Sequence, residues 1–174
     1  MDLSQALPII KKLIGFQLIE FSNILGTWVC EFRHPELKDF RYKWFLECPW
    51  RIIEHSTLKC GSDDLRFFWE EFPDNMGASP FGGILVEVLG LETFNGGLVS
   101  KRVMSIVDVK IDSVGQVSIV LTGGLSIELL PAGHFDVQWI LSDAANCTLT
   151  LKDGVLEWGQ SRSNTVHLRC SDPD

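Results

Sequence analysis

The stretch from Val103 to Leu141, VMSIVDVKIDSVGQVSIVLTGGLSIELLPAGHFDVQWIL, constrains this chain more than any other part of it. Four short apolar runs follow one another, separated by SVGQ, TGG and PAGH. A period of two turns one face of a strand to a core and the other to solvent, and Gly123-Gly124 admits the positive φ of a two-residue hairpin turn. The stretch predicts an antiparallel meander. Val103, Val107, Val109 and Ile111 are expected on one face, opposite Asp108, Lys110 and Asp112. Val117, Ile119 and Leu121 repeat the pattern, then Leu125, Ile127 and Leu129, and then Phe135, Val137, Trp139 and Leu141. Turns this tight and faces this regular leave little room for a site, so the meander reads as scaffold.

The flanking sequence extends the same theme. Leu3, Leu7, Ile10 and Ile14 recur at helical spacing, with Ser4 as a candidate cap, Pro8 near a first turn and Gly15 as a stop. FQLIEF and TWVCEF are rich in strand formers. Tyr42, Trp44, Leu46 and Cys48 share a face, with Lys43, Phe45 and Glu47 on the other. Pro49 interrupts the ladder before Trp50-Arg51-Ile52-Ile53, which suggests an edge or a bulge. Ile84–Leu91 reads as a further strand, FNGG as a turn, and CTLTL, Lys152-Asp153-Gly154 and VLEW as a final hairpin. Val166-His167-Leu168 adds a candidate strand in a polar tail. At 174 residues, without repeats or linkers, the chain is expected to form one domain, residues 1–174. The fold class is α+β, mainly β: a bent or half-closed antiparallel sheet with an N-terminal helix and a short mid-chain helix.

Charge is unevenly distributed. Between Gly61 and Glu92, Asp63, Asp64, Glu70, Glu71, Asp74, Glu87 and Glu92 face one base, Arg66, so this segment carries −6 of the net −8. Ser62 or Asp63 can cap a helix here whose apolar stripe is Leu65, Phe68, Trp69 and Phe72. An acidic chain is poorly matched to nucleic acid, which is held by Lys and Arg, and well matched to a basic protein. Asp63, Asp64, Glu70, Glu71 and Asp74 are therefore the candidate partner-binding residues. Trp69, or its neighbours Phe68 and Phe72, is the candidate aromatic anchor, against the alternative that these rings form an inward helix stripe.

Chemistry beyond binding finds no footing. His34, His55, His134 and His167 are not at ligand spacing from one another. Asp63-Asp64 and Glu70-Glu71 have no third ligand at fixed spacing and read as a solvated acidic face, not a metal site. Gly82-Gly83, Gly96-Gly97 and Gly123-Gly124 belong to turns, without a phosphate-loop or dinucleotide pattern. Cys48 alternates with Trp44 and Leu46 and reads as packing. No catalytic residue, metal or cofactor is expected. The five cysteines are odd in number, widely spread and without a CxxC pair, so they read as reduced thiols. The leading MDLSQALPIIKKLIG places its lysines after the apolar residues, opposite to a secretory signal, and no apolar run approaches the roughly 18 residues of a membrane span. A cytoplasmic chain is the expectation.

Two resemblances bear on function. Phe45-Leu46-Glu47-Cys48-Pro49-Trp50-Arg51-Ile52 resembles a CPWRI-like strand in small uncharacterised bacterial proteins. In these a later meander, here Gly115–Leu141, ends in a strand carrying a Trp, as Asp136-Val137-Gln138-Trp139 does. Such proteins resemble members of toxin-immunity neighbourhoods, including those of contact-dependent growth inhibition. The resemblance implies a single cytoplasmic domain that neutralises a cognate toxin, often a basic nuclease, by binding it, and it supplies no catalytic residues. Leu25-Gly26-Thr27-Trp28, after a short helix, resembles the GxW start of lipocalin-like barrels, which implies an up-and-down barrel around a small apolar ligand. The lipocalin Thr-Asp-x-x-Tyr has no counterpart, since Ser142-Asp143 is followed by Ala144-Ala145.

Overall fold

A computed structural model describes residues 1–24, 27–62, 88–94, 97–132 and 137–160. One helix, α1 (Leu3–Lys11), precedes the strands β1 (Gln17–Ile24), β2 (Thr27–Arg33), β3 (Arg41–Leu46), β4 (Trp50–Glu54) and β5 (Thr57–Gly61). Then come β6 (Leu91–Phe94), β7 (Gly97–Ile111), β8 (Val117–Leu121), β9 (Leu125–Leu129), β10 (Val137–Asp143), β11 (Cys147–Lys152) and β12 (Val155–Gln160). The helix expected over residues 63–72 and the strand expected at 166–168 lie outside the described residues.

All strand pairs are antiparallel, in the order β12-β11-β10-β3-β2-β1-β7-β8-β9-β4-β5, with β6 beside β7. The path is open, ending at β12 and β5, and so differs from the closed barrel implied by Leu25–Trp28. Its two halves share β7, whose first part pairs with β1 and whose last part pairs with β8. They fold over one core: Trp50 on β4 lies edge-on to Phe21 of β1 and Trp28 of β2, with ring centroids 4.9 and 5.3 Å away. Trp139 on β10 stacks edge-to-face on Trp44 of β3 at 5.5 Å and donates its indole N–H to Gly115 O in the β7–β8 turn, 3.1 Å away. Three buried tryptophans thus fill the space between the halves.

The meander holds from β7 to β9 and then breaks. Pro131 ends the third strand, and β10 crosses to pair with β3 and β11 while β9 takes β4 as its other neighbour. Pro49 marks neither an edge nor a bulge. It sits where the chain passes from β3 to β4, between the halves, and its carbonyl accepts from Leu130 N at 2.8 Å. The facing of β7 also departs from the alternation. A register shift between Ile106 and Asp108 reverses the phase, so Met104, Ile106 and Val109 are buried while Val103 and Val107 are 72% and 50% exposed. The expected strand at Ile84–Leu91 starts only at Leu91 among the described residues. At the β8–β9 turn Thr122 joins Gly123 and Gly124 between the paired Leu121 and Leu125. Asp153 and Gly154, with φ of 48° and 74°, make the two-residue turn of the last hairpin.

Helix α1 is capped by Asp2, not Ser4. The Asp2 carboxylate accepts from Gln5 N at 3.1 Å, and the Gln5 side chain accepts from Asp2 N at 3.1 Å. The Ser4 hydroxyl, with Gln5 N–H, holds the Asp2 carboxyl below its usual range. Ala6, Ile9 and Ile10 are the buried face, joined by Leu13, and Ile14 turns outward. The burying stripe is rotated by one residue from the one the spacing suggests. Pro8 lies inside the helix, where its missing N–H forgoes one backbone bond.

The core holds groups that must stay neutral. Burial pushes the Cys48 thiol up to about 11, burial and then the Asp143 charge push the Tyr42 hydroxyl up to about 12, and burial raises Cys30. In the unfolded chain these thiols and this phenol ionise at their ordinary, lower values, so raising pH draws protons from the unfolded state first. Their contribution is complete below about pH 9 and is lost as pH rises toward the folded values, at about 1.4 kcal/mol per pH unit for each group. Urea unfolding at pH 8 and pH 10.5 should therefore show a fall of about 2–4 kcal/mol; a level midpoint would contradict the burial of these groups. The cysteines are not all thiols. Cys30 and Cys48 are free and buried, whereas Cys147, at the head of β11, is disulfide-bonded. The expectation of a wholly reduced chain is corrected at that position.

Candidate functional site

Asp63, Asp64, Trp69, Glu70, Glu71 and Asp74 lie outside the described residues, as do Phe68 and Phe72. The two ends from which the acidic segment departs and returns are described. It leaves after Ser62, whose hydroxyl accepts from Trp50 N at 3.2 Å, just beyond β5, the terminal strand of the sheet path. It returns at Leu89, fully buried, and at Gly90, which has a φ of +57°. A Cβ on Gly90 would lie 2.7 Å from the Arg102 side chain, so Arg102 of β7 runs flat across the backbone there.

Ser62 and the β4–β5 turn lie at opposite ends of that hairpin, and the charge of Arg102 reaches Glu54 at the turn end. Glu54, at the end of β4, bonds Lys59 of β5 at 2.9 Å. That hydrogen bond is the main reason its carboxyl sits below the usual range, with the charges of Lys59, His55 and Arg102 adding to it. The turn between β4 and β5 is built from His55 and Ser56 with φ of 48° and 67°, which costs non-glycine residues about 1–2 kcal/mol each. It is locked to the β8–β9 turn: His55 N donates to Gly124 O at 3.0 Å, and the imidazole occupies the space a Cβ on Gly124 would need.

The remaining charged clusters hold the sheet together. Glu31, nearly buried on β2, is bracketed by Arg41 Nη1 at 2.9 Å and Lys43 Nζ at 3.2 Å, both on β3. Arg51 on β4 pairs with Glu128 on β9 at 2.7 Å. Both sets join residues directly opposite or diagonal across paired strands, and their half-exposed bases limit the gain to about 1 kcal/mol per pair. His34 accepts from Glu36 N and Leu37 N through Nδ1, at 3.2 and 3.1 Å, and so shapes the β2–β3 loop. His134 and His167 lie outside the described residues. Among the described residues no group of three or more His, Cys, Asp or Glu side chains is placed to hold a metal ion. Among them, too, no helix is long and apolar enough to cross a membrane.

One concave feature escaped the sequence reading. A groove of about 300 Å³ lies where the N-terminus, the β7–β8 turn and the β11–β12 hairpin meet. The buried Gly115, Leu151 and Leu156 and the half-buried Leu3 line it, with the exposed Met1, Asp2, Ser113, Gly154 and Val155. A signal for it does exist in the sequence. Val114 and Val155 are apolar residues next to the turn glycines Gly115 and Gly154, where polar side chains are the rule. The chain matches no known family, no curated protein and no solved structure.

Proposed function

We propose that this chain is a non-catalytic immunity protein that binds a cognate bacterial toxin and neutralises it by occlusion. The observation that carries the reading is the charge distribution, −6 within the segment from Gly61 to Glu92 out of −8 overall. The toxin is a basic protein, with a nuclease as the favoured case, because a surface that holds phosphates is complementary to such a segment. Asp63, Asp64, Glu70, Glu71 and Asp74 cover that surface, and Trp69 supplies the anchor. Fields of opposite sign draw the partners together before contact, and the ring excludes water once they meet. Binding of this kind needs no metal, cofactor or catalytic residue. The cytoplasm is the proposed location, and the free, buried thiols of Cys30 and Cys48 support it.

The test is association with the product of the adjacent reading frame. Glu70→Lys with Glu71→Lys should slow association by about ten-fold at low salt and flatten its salt dependence. An unchanged rate removes this surface from the proposal, and a neighbouring toxin that does not bind at all removes the immunity reading.

A further inference from the structure

We propose that Cys147 and Cys170 form a disulfide within the chain, and that this bond clamps the terminal strand β12 to the sheet and releases it on reduction. Neither the binding reading above nor its choice of surface is needed for it.

The pairing follows by elimination. The chain has five cysteines, Cys30, Cys48, Cys60, Cys147 and Cys170. Cys147 is disulfide-bonded, whereas Cys30, Cys48 and Cys60 are free and buried. Cys170 is what remains in the chain as the other half of the bond. Chain length allows it. Cys147 lies opposite Gln160, the last residue of β12, and the chain then runs on from Gln160 to Cys170. A stretch of about ten residues reaches up to about 35 Å, ample to return within the roughly 6 Å between α-carbons that a disulfide needs. Two of the other thiols are poor competitors. Burial raises Cys30 and Cys48, which keeps them protonated, and the thiolate is the form that attacks a disulfide.

The position of Cys147 gives the bond a mechanical role. β12 ends the strand path, and among the described residues β11 is its one neighbour. Leu156 is its one buried residue, Trp158 is partly buried against the core, and the rest of the strand is exposed. A strand held along one edge by so little apolar surface opens at low cost. The bond closes a loop that contains all of β12 and ties its far end to the head of β11. Closing a loop removes open conformations, so β12 stays paired more of the time. In forming the bond the two thiols give up two protons and two electrons. A low-molecular-weight disulfide accepts them and becomes two thiols, and a dithiol reverses the exchange. In a reducing compartment such a bond is transient, and β12 is the element it sets free.

The test uses the full chain. Alkylation in denaturant without reductant should label Cys30, Cys48 and Cys60, and trypsin should then release residues 111–152 joined to the peptide that begins at Cys170. Hydrogen exchange of the native protein should show the amides of residues 157–160 about ten-fold less protected after dithiothreitol, with β8 and β9 unchanged. Cys170→Ser should exchange like the reduced protein from the start, and dithiothreitol should then change nothing. Five labelled cysteines, a covalent dimer on a non-reducing gel, or residues 111–152 joined to a different cysteine would each overturn the pairing. An intact cross-link with equal exchange in the oxidised, reduced and Cys170→Ser proteins would overturn the clamp.

Discussion

Gly115→Ala should lower the thermal midpoint by about 10 °C, a loss of about 3 kcal/mol in a chain of this size. Gly115 has a φ of +83°, and a Cβ there would stand 2.5 Å from Leu151 Cδ2, a buried side chain of the opposite half of the sheet. Two penalties add: the left-handed backbone costs an alanine about 1–2 kcal/mol, and overpacking a filled core costs about 1–3. Gly123→Ala isolates the first. Gly123 has the same φ of +83°, but its Cβ would meet nothing within 4 Å. It should lose only about 1 kcal/mol, or about 3 °C. Differential scanning calorimetry on both variants checks the pair. Equal losses would mean that the β7–β8 turn does not press on β11.

Trp139→Phe should cost about 2 kcal/mol more than Trp44→Phe, although both indoles are fully buried and stack on each other. Trp139 gives its N–H to Gly115 O, so the phenyl replacement loses apolar contact and leaves a carbonyl of a buried residue without that donor. Trp44 Nε1 is buried with no hydrogen-bond partner, so its replacement loses contact but also removes an unpaired polar group worth about 1–3 kcal/mol. Burying an indole returns about 4–6 kcal/mol at the usual area coefficient, which explains how the core tolerates the orphaned N–H of Trp44 and of Trp50. Chemical denaturation of the two single variants reads the difference; equal destabilisation would show that the Trp139 bond contributes nothing.

Local pattern made much of this legible. The strands β8, β9, β11 and β12 follow their alternation, and the glycines at 115, 123, 124 and 154 all take the positive φ that their turns demand. What alternation cannot convey is the partner. Trp50 opposite Leu129, and Leu46 opposite Trp139, join residues far apart in sequence, and any apolar strand face satisfies any other. The bulge at Val107 is equally silent, since one extra residue reverses the facing of β7 while leaving its composition unchanged. The buried helical stripe, Ala6, Ile9, Ile10 and Leu13, is set by how the helix packs on the sheet, which spacing alone does not decide. Of the site, the acidity of segment 61–92 is legible as composition. The groove needed three distant pieces of chain to meet, which no single run of sequence reveals.

The strand order also sets a timetable. β3 and β4 cannot be enclosed until β10 and β9 exist, because those are their neighbours in the finished sheet. At a synthesis rate of about 5–20 residues per second, β9 emerges from the ribosome roughly 4–15 s after β4. Through that interval the nascent chain carries strands with one side unclaimed, among them the tryptophans of β3 and β4. Such edges pair readily with neighbouring chains, and a topology dominated by distant contacts folds slowly once complete. Yield in cells should therefore depend on chaperone supply and on the pace of translation before residue 129, more than on the final stability of the sheet.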